Sequence, residues 1–262
     1  MAGSLSLDHP WAFVFGILGN AISFMVYLSP LPTFYRIYRR KSTEDFQSLP
    51  YVVALLSAML WMFYAFIKSN AYLLVTINSF GCVIETTYII IFLIYASTKA
   101  RVHTIKMMAL LNVGLLSFIV LCILLISNDS LRLQVLGWIC VIFSVTVFAA
   151  PLSIIREVIR SKSVEYMPFT LSLFLTLSAV AWFFFGIFTK DIYVALPNVL
   201  GFSFGAVQML LYIVYKDANA PKRLEVEGNT QVNILCSVEI LVVGDAGAKS
   251  IDIDGMKKDE GE

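Results

Sequence analysis

One stretch of about twenty residues occurs twice in this chain, and it limits the fold more than any other feature. Residues 29–51 read SPLPTFYRIYRRKSTEDFQSLPY, and residues 150–169 read APLSIIREVIRSKSVEYMPF. Five identities recur 121 positions later: Pro30, Leu31, Lys41, Ser42 and Glu44 return as Pro151, Leu152, Lys162, Ser163 and Glu165. Pro50 matches Pro168, after a spacer three residues shorter. A repeat of this length predicts a protein made of two copies of one structural unit.

The repeated stretch joins long apolar runs that dominate the composition. The chain has 262 residues, of which 59% are hydrophobic and 14% are charged. A soluble domain of this size could not bury so much apolar surface, and a net charge of +1 gives no bulk attraction to nucleic acid. Since a helix needs about 20 apolar residues to cross a bilayer, seven segments qualify as spans. They cover about residues 11–35, 50–67, 72–96, 105–126, 133–155, 168–188 and 192–215.

The order of the spans predicts an all-α membrane protein with a 3+1+3 arrangement. Three spans reverse the side of the membrane, so a second copy in the same orientation needs one extra crossing, which the fourth span supplies. We therefore expect two parallel three-helix bundles, at residues 1–98 and 132–215, joined by an inversion linker helix at 99–131. Parallel repeats place a substrate site near the midplane between them. The charged tail, residues 216–262, is predicted to be mostly disordered.

The basic residues predict the orientation, because loops on the cytoplasmic side are enriched in lysine and arginine. The basic residues around the loops between spans 1–2, 3–4 and 5–6 are Arg36, Arg39, Arg40, Lys41, Lys99, Arg101, Lys106, Arg156, Arg160 and Lys162. The opposite side holds only Lys68, Arg132 and Lys190. We expect the N-terminus outside and the tail in the cytoplasm, with the plasma membrane as the location.

Polar residues inside the spans also recur at the offset of the repeat or one residue short of it. Ser57 and Trp61 in the second span match Ser178 and Trp182 in the sixth, and Asn78 matches Asn198. Residues four apart share a helix face. Two indoles and two carboxamides facing each other would suit an uncharged polyol, because an amide both donates and accepts hydrogen bonds. The alternative is that the indoles face lipid or core and that the amides join helices.

The prolines and two polar residues suggest gates on either side of this predicted site. Pro30 and Pro151 lie near the inner ends of their spans, while Pro50 and Pro168 begin spans; we read the four as hinges of an inner gate or, alternatively, as simple helix ends. Tyr64 and Asp191 lie at the opposite side of the membrane. They are predicted to meet as an outer latch; otherwise they are solvated residues.

Glu85 is an acidic residue deep within a span, and such a carboxyl is a functional candidate by default. Its counterpart in the seventh span is near Gly205, and it has no basic partner in the sequence pattern. We interpret it as a structural acid, with proton coupling as the alternative. No cofactor is expected: the cysteines, Cys82, Cys122, Cys140 and Cys236, lack metal-ligand spacing. The spans contain no nucleophile–base pair that would indicate an enzyme. A seven-helix receptor is a further alternative, but it predicts no internal repeat, whereas this sequence has one.

At these positions the sequence resembles the SWEET family of sugar transporters, its plant members in particular. The strings WAFVFGILGN, KSTEDFQSLPYV, INSFGCVIETTYI, VFAAPLSI and YVALPNVLG carry the resemblance. It implies uncoupled, bidirectional transport of sugar by alternating access, and a tendency to form homo-oligomers. The family's sugar-facing positions fall on Trp61, Asn78, Trp182 and Asn198, its proline tetrad on Pro30, Pro50, Pro151 and Pro168, and its outer gate on Tyr64 and Asp191.

The resemblance also implies a substrate size. The family's size-selecting positions fall on Val26, Ser57, Val147 and Ser178, all of which are small. Small residues enlarge a pocket, and this set is similar to that of family members that carry sucrose rather than only hexoses. The expected substrates are therefore sucrose and, as a second possibility, glucose. The tail is short for the sucrose-type group, which leaves regulation by the tail undecided.

Overall fold

The computed structural model describes residues 10–44, 46–147, 149–164 and 169–216, and every regular element in these ranges is helical. The α-helices are α1 Pro10–Leu28, α2 Leu31–Arg40, α3 Leu49–Ile67, α4 Tyr72–Tyr95, α5 Thr98–Met107, α6 Leu116–Leu124, α7 Asp129–Val147, α8 Ala149–Ser161, α9 Phe169–Phe188 and α10 Ile192–Tyr215. A π-helical segment, Met108–Leu115, joins α5 to α6. The predicted disordered tail lies outside the described residues except for Lys216.

Seven stretches in these ranges are long and apolar enough to cross a membrane, which confirms the predicted number of spans. The chain is a multi-pass membrane protein. The first stretch continues to Arg40, and the fourth begins at Thr98, so the predicted start at residue 105 is wrong. The Ser97 hydroxyl accepts a hydrogen bond from the Ala100 N–H at 3.4 Å and starts α5 early. Because this first turn is charged, a search for apolar runs alone misses it.

The helices pack as the 3+1+3 arrangement requires. Within the repeats α3 packs on α4 and α9 packs on α10, while across the repeats α1 packs on α9 and α3 packs on α7. The fourth span lies against α3 of the first repeat. There Asn112 donates to the Val52 carbonyl at 3.1 Å, and the Ser48 and Thr104 hydroxyls lie 2.6 Å apart. The core therefore holds the two repeats together along two seams, α1–α9 and α3–α7.

The turns repeat as well as the helices. Lys41 and Lys162 adopt positive φ angles of 54° and 55°, a left-handed conformation that often ends helices. Each lysine then donates to the hydroxyl of a tyrosine that ends the third span of its own repeat. Lys41 donates to Tyr95 at 3.2 Å, and Lys162 donates to Tyr215 at 2.9 Å. The same unusual backbone at matched positions shows that the two units share their fold in detail. Both turns lie on the side rich in basic residues, called the basic side below.

Candidate functional site

Both predicted indoles lie on the seams between the repeats. The Trp182 ring nitrogen on α9 donates to the Ser23 hydroxyl on α1 at 3.0 Å. The Trp61 ring nitrogen on α3 donates to the Ser144 hydroxyl on α7 at 3.1 Å. The two bonds are related by the repeat, because Ser23 and Ser144 are 121 residues apart. The matched pairs fix each indole edge to the opposite repeat.

The α1–α9 seam gathers more of the predicted site than the α3–α7 seam does. The hydroxyls of Ser178 and Ser23 lie 2.8 Å apart, so Ser178 belongs to the same cluster as Trp182. Gly19 allows this approach: a Cβ added there would lie 3.0 Å from Cε2 of the Trp182 ring. Ser57, the counterpart of Ser178, is half-buried on α3, one turn before Trp61. The two seams thus share a plan and differ in how closely the helices meet.

Asn78 and Asn198 use their amides in the same way. The Asn78 amide nitrogen donates to the Leu74 carbonyl at 2.8 Å, and that of Asn198 donates to the Val194 carbonyl at 2.7 Å. Each bond stays within one helix, α4 or α10. Because a carboxamide has two N–H groups and one carbonyl oxygen, each side chain keeps an acceptor and a donor. No described contact joins the two asparagines to each other.

Other span asparagines behave differently. Asn20 on α1 donates to the Leu73 carbonyl on α4 at 3.0 Å, and Asn112 donates to the Val52 carbonyl on α3. These two amides hold neighbouring helices together, which is the role that the alternative interpretation assigned to Asn78 and Asn198. The described hydrogen bonds therefore give a helix-joining role to Asn20 and Asn112, but not to the matched pair.

The predicted size-selecting valines are only partly described. Val26 is half-buried on α1, nearly one turn beyond Ser23. Val147 ends α7, and its side chain lies outside the described part of the structure. Its contacts therefore do not enter the geometry of the site.

Two of the four predicted hinge prolines, Pro30 and Pro50, lie at helix starts within the described residues. Pro30 is the N-cap of α2 and separates it from α1, which ends at Leu28. Pro50 is the second residue of α3, where a proline costs little. Pro151 lies in the first turn of α8, but its side chain is outside the described part, and Pro168 is outside it altogether. The first span is broken at Pro30, as a hinge requires; hinge motion itself stays a prediction.

Tyr64 and Asp191 are in contact across the repeats. The Tyr64 hydroxyl lies 3.0 Å from both carboxylate oxygens of Asp191 and donates to them. Lys68 at the end of α3 forms an ion pair with the same carboxylate, a partner that the sequence analysis did not predict. Asp191 is buried and also caps α10, where it accepts from the N–H groups of Tyr193 and Val194 at 3.1 and 3.2 Å. This contact ties α3 to α10, opposite the basic side.

The latch is next to one of the indoles. The Tyr64 ring meets the Trp61 ring edge-on, with ring centroids 5.5 Å apart. Movement of the Tyr64–Asp191 contact would therefore reach the indole on the α3–α7 seam directly. The latch and the predicted site form one continuous group of side chains.

Glu85 is buried on α4, with 5% of its surface exposed. Its Oε2 atom has no hydrogen-bond partner among the described residues. Its counterpart is Gly205, where an added Cβ would lie within 3.0 Å of the Thr176 side chain. The seventh span therefore has no room for a carboxyl at this position, and the acid belongs to one repeat only.

Together these features define a membrane carrier: two parallel repeats, seams lined with matched uncharged polar groups, and a contact that ties the repeats at one side. Comparison with known proteins identifies the group. The family model described as "Sugar efflux transporter for intercellular exchange" matches residues 13–100 and 134–220. The chain belongs to this family, the SWEET family of sugar transporters.

Individual relatives cover most of the chain. The rice protein named bidirectional sugar transporter SWEET13 is 66% identical over 218 residues, which are 83% of this chain and 73% of that protein. The petunia protein named bidirectional sugar transporter NEC1 is 52% identical over 252 residues, 95% of this chain and 94% of that protein. A eukaryotic SWEET transporter solved at 3.7 Å superposes with a TM-score of 0.77 at 34% identity, covering 82% of this chain and all of that one.

Proposed function

We propose that this protein is a facilitative, bidirectional transporter of sucrose, and of glucose as a smaller substrate, that works by alternating access. The repeats, residues 1–98 and 132–215, are the units that rock, and residues 99–131 connect them. The observation that carries the proposal is the matched pair of Trp–Ser hydrogen bonds across the seams. A site on these seams opens to one side or the other when the repeats tilt.

The proposed site binds a neutral sugar through Trp61, Asn78, Trp182 and Asn198. The amides of Asn78 and Asn198 each keep an acceptor and a donor, which can bind adjacent hydroxyl groups. An indole offers a flat apolar face to the C–H side of a pyranose ring. No charge is needed, because the ligand has none. Val26, Ser57, Val147 and Ser178 complete the walls and leave room for a disaccharide.

The proposed setting follows from charge and from the resemblance. The basic side faces the cytoplasm, so the N-terminus and the Tyr64–Asp191 latch face outward. The prolines Pro30, Pro50, Pro151 and Pro168 act as hinges on the cytoplasmic side. We place the protein in the plasma membrane and expect homo-oligomers, as the resemblance to the family implies.

Uptake into vesicles tests the proposal. Purified protein in sealed vesicles is expected to bring labelled sucrose to the external concentration and no further, with the same end point at pH 5.5, 6.5 and 7.5. The rate is expected to be equal with and without a pH gradient, because the proposed carrier couples no ion. Accumulation of sucrose above the external concentration would contradict the facilitative mechanism.

Proton coupling through Glu85 is the second candidate, and the unpartnered Oε2 atom favours it. The two candidates differ for Glu85→Gln, which keeps the size of the side chain and removes the proton. A structural acid predicts that this variant moves sucrose down its gradient at about the wild-type rate and still shows no accumulation. If wild type accumulates sucrose under a pH gradient and Glu85→Gln does not, the protein is coupled.

The size of the site gives a further prediction. Leucine in place of Ser57 or Val147 is expected to slow sucrose flux about tenfold more than glucose flux, because overpacking costs about 1–3 kcal/mol and the disaccharide needs the extra volume. Ser203→Leu is the matched control, since Ser203 is exposed on α10; it should leave the sucrose-to-glucose ratio unchanged. Equal losses for both sugars would contradict the role of these residues in selecting size.

A further inference from the structure

An open groove on α8 shares none of its described lining residues with the proposed sugar site. Its volume is about 650 Å³, and its described lining residues are Leu152, Ile155, Arg156, Ile159 and Arg160. These positions follow the spacing of one helix face. Leu152 and Ile159 are exposed over 49% and 47% of their surface. The groove therefore places two guanidinium groups beside exposed apolar side chains.

The guanidinium groups of the groove have free donors. Among the described residues neither Arg156 nor Arg160 has an ion pair or a hydrogen bond from its side chain. The basic residues of the first repeat contrast with them: Arg36 and Arg40 both pair with Glu44. Those contacts lower the pKa of the Glu44 carboxyl, chiefly through the hydrogen bond from Arg40. Among the described residues, no carboxylate pairs with the positive charges of Arg156 and Arg160.

The neighbouring acid does not neutralise the groove. Glu157 follows Arg156 directly, and successive residues in an α-helix point about 100° apart. Glu157 is not among the residues that line the groove. Among the described residues, a ligand in the groove would meet two positive charges and no lining carboxylate.

The groove is an addition to the repeated unit. At the matching positions of α2, Tyr35 stands for Arg156 and Tyr38 stands for Ile159, while Arg39 matches Arg160. The first repeat therefore has one of the two guanidinium groups. Since both repeats carry the proposed sugar-binding pairs, transport alone does not require the second arginine.

The position of α8 selects the ligand. α8 follows the fifth span and ends at Ser161 on the basic side. Where a helix leaves a bilayer, arginine side chains reach the lipid headgroups while apolar side chains contact the acyl chains. We propose that the groove binds one anionic phospholipid. The phosphate and a second acidic group of the headgroup accept hydrogen bonds from Arg156 and Arg160, and the acyl chains cover Leu152 and Ile159.

Native mass spectrometry of the full-length protein in detergent tests the site, with phosphatidylserine as the probe and phosphatidylcholine as the neutral comparison. Wild type is expected to retain phosphatidylserine over phosphatidylcholine, and Arg156→Gln/Arg160→Gln is expected to lose this preference about tenfold, since hydrogen bonds to charged groups are the strong ones. The control Arg39→Gln/Lys106→Gln removes two exposed charges from the same side and should bind as wild type does.

Three results would overturn the proposal. Equal retention by wild type and Arg156→Gln/Arg160→Gln would place the lipid elsewhere. Equal loss in the control would show attraction to net charge rather than to the groove. Displacement of the lipid by the same concentration of soluble glycerophosphoserine would show that the acyl chains do not contribute to binding. Unchanged thermal unfolding of each variant verifies that the groove, and not the fold, has been altered.

Discussion

Replacing Asn78 or Asn198 by alanine is expected to reduce sucrose and glucose flux about tenfold to a hundredfold, with no loss of protein from the membrane. Among the described residues, each amide nitrogen donates to a carbonyl of its own helix and to no other group. Its loss therefore removes no described hydrogen bond between helices. A sugar would lose a donor and an acceptor, and an unmade hydrogen bond costs about 1–3 kcal/mol, where each 1.4 kcal/mol is tenfold.

Asn112→Ala is the matched control for these variants. Asn112 is also a buried span asparagine, but its amide joins the fourth span to the Val52 carbonyl on α3. This variant is expected to lower thermal stability and leave the flux per folded molecule unchanged. Flux is measured as initial uptake of labelled sugar, divided by the protein in the membrane.

The opposite pattern would contradict the proposed site. If Asn78→Ala and Asn198→Ala transport normally and unfold at lower temperature, as the control should, the matched pair stabilises helices and the sugar binds elsewhere. Rescue by glutamine at the same positions is not expected, because the longer side chain displaces the amide by one methylene.

The arrangement of the spans can be predicted from the sequence because the repeat matches each position of one copy to a position of the other. An offset of about 121 residues matches Trp61 to Trp182, and therefore matches the two helices on which these residues lie. The order of the spans also places Tyr64 and Asp191 at one side of the membrane, and the structure shows them in contact. The prediction works wherever position along a helix is sufficient to bring side chains to the same depth.

The contacts that the sequence analysis missed depend on how helices face each other. Ser23 and Ser144 have the same offset as the tryptophans, but serine is common within spans, and only packing makes them partners of the indoles. The sequence pattern indicates only that Lys68 is a charge outside the spans, whereas the structure pairs its ammonium group with Asp191. The offset of the repeat could have singled out Ser23 and Ser144 as a matched pair. No pattern along the chain indicates that the Lys68 side chain turns toward Asp191.

The asymmetry between the repeats also comes from packing. Gly205 lies so close to Thr176 that a side chain does not fit, while the matching position holds Glu85. The sequence shows that the Glu85 carboxyl has no counterpart in the second repeat, and the structure gives the steric reason. Only measurement of coupling separates its two proposed roles.

Replacing Asp191 by asparagine is expected to open the side of the protein that this residue ties together. Asparagine keeps a side-chain oxygen to cap α10, which Asp191 does for Tyr193 and Val194, but it loses the ion pair with Lys68. The carboxylate is buried, whereas 21% of the Lys68 side chain is exposed. After solvent screening the loss is about 1–2 kcal/mol, which shifts the open-to-closed ratio about tenfold.

The thiol of Cys140 reports this opening. Cys140 is fully buried on α7, which packs on α3 across the repeats. Maleimide labelling is measured after Cys82, Cys122 and Cys236 have been replaced by alanine. Asp191→Asn is expected to label about tenfold faster than the parent protein, and Tyr64→Phe about fivefold faster, since it loses one hydrogen bond of about 1 kcal/mol.

Lys190→Gln serves as the control, because it removes the exposed charge beside Asp191 and leaves the described contacts of the latch intact. Its labelling rate should match that of the parent. If Asp191→Asn also labels at the parent rate, the ion pair does not keep this side closed by holding α3 and α10 together. The closed side would then depend on the α1–α9 seam, where Trp182 and Ser178 both contact Ser23, and Ser23→Ala would become the variant that opens it.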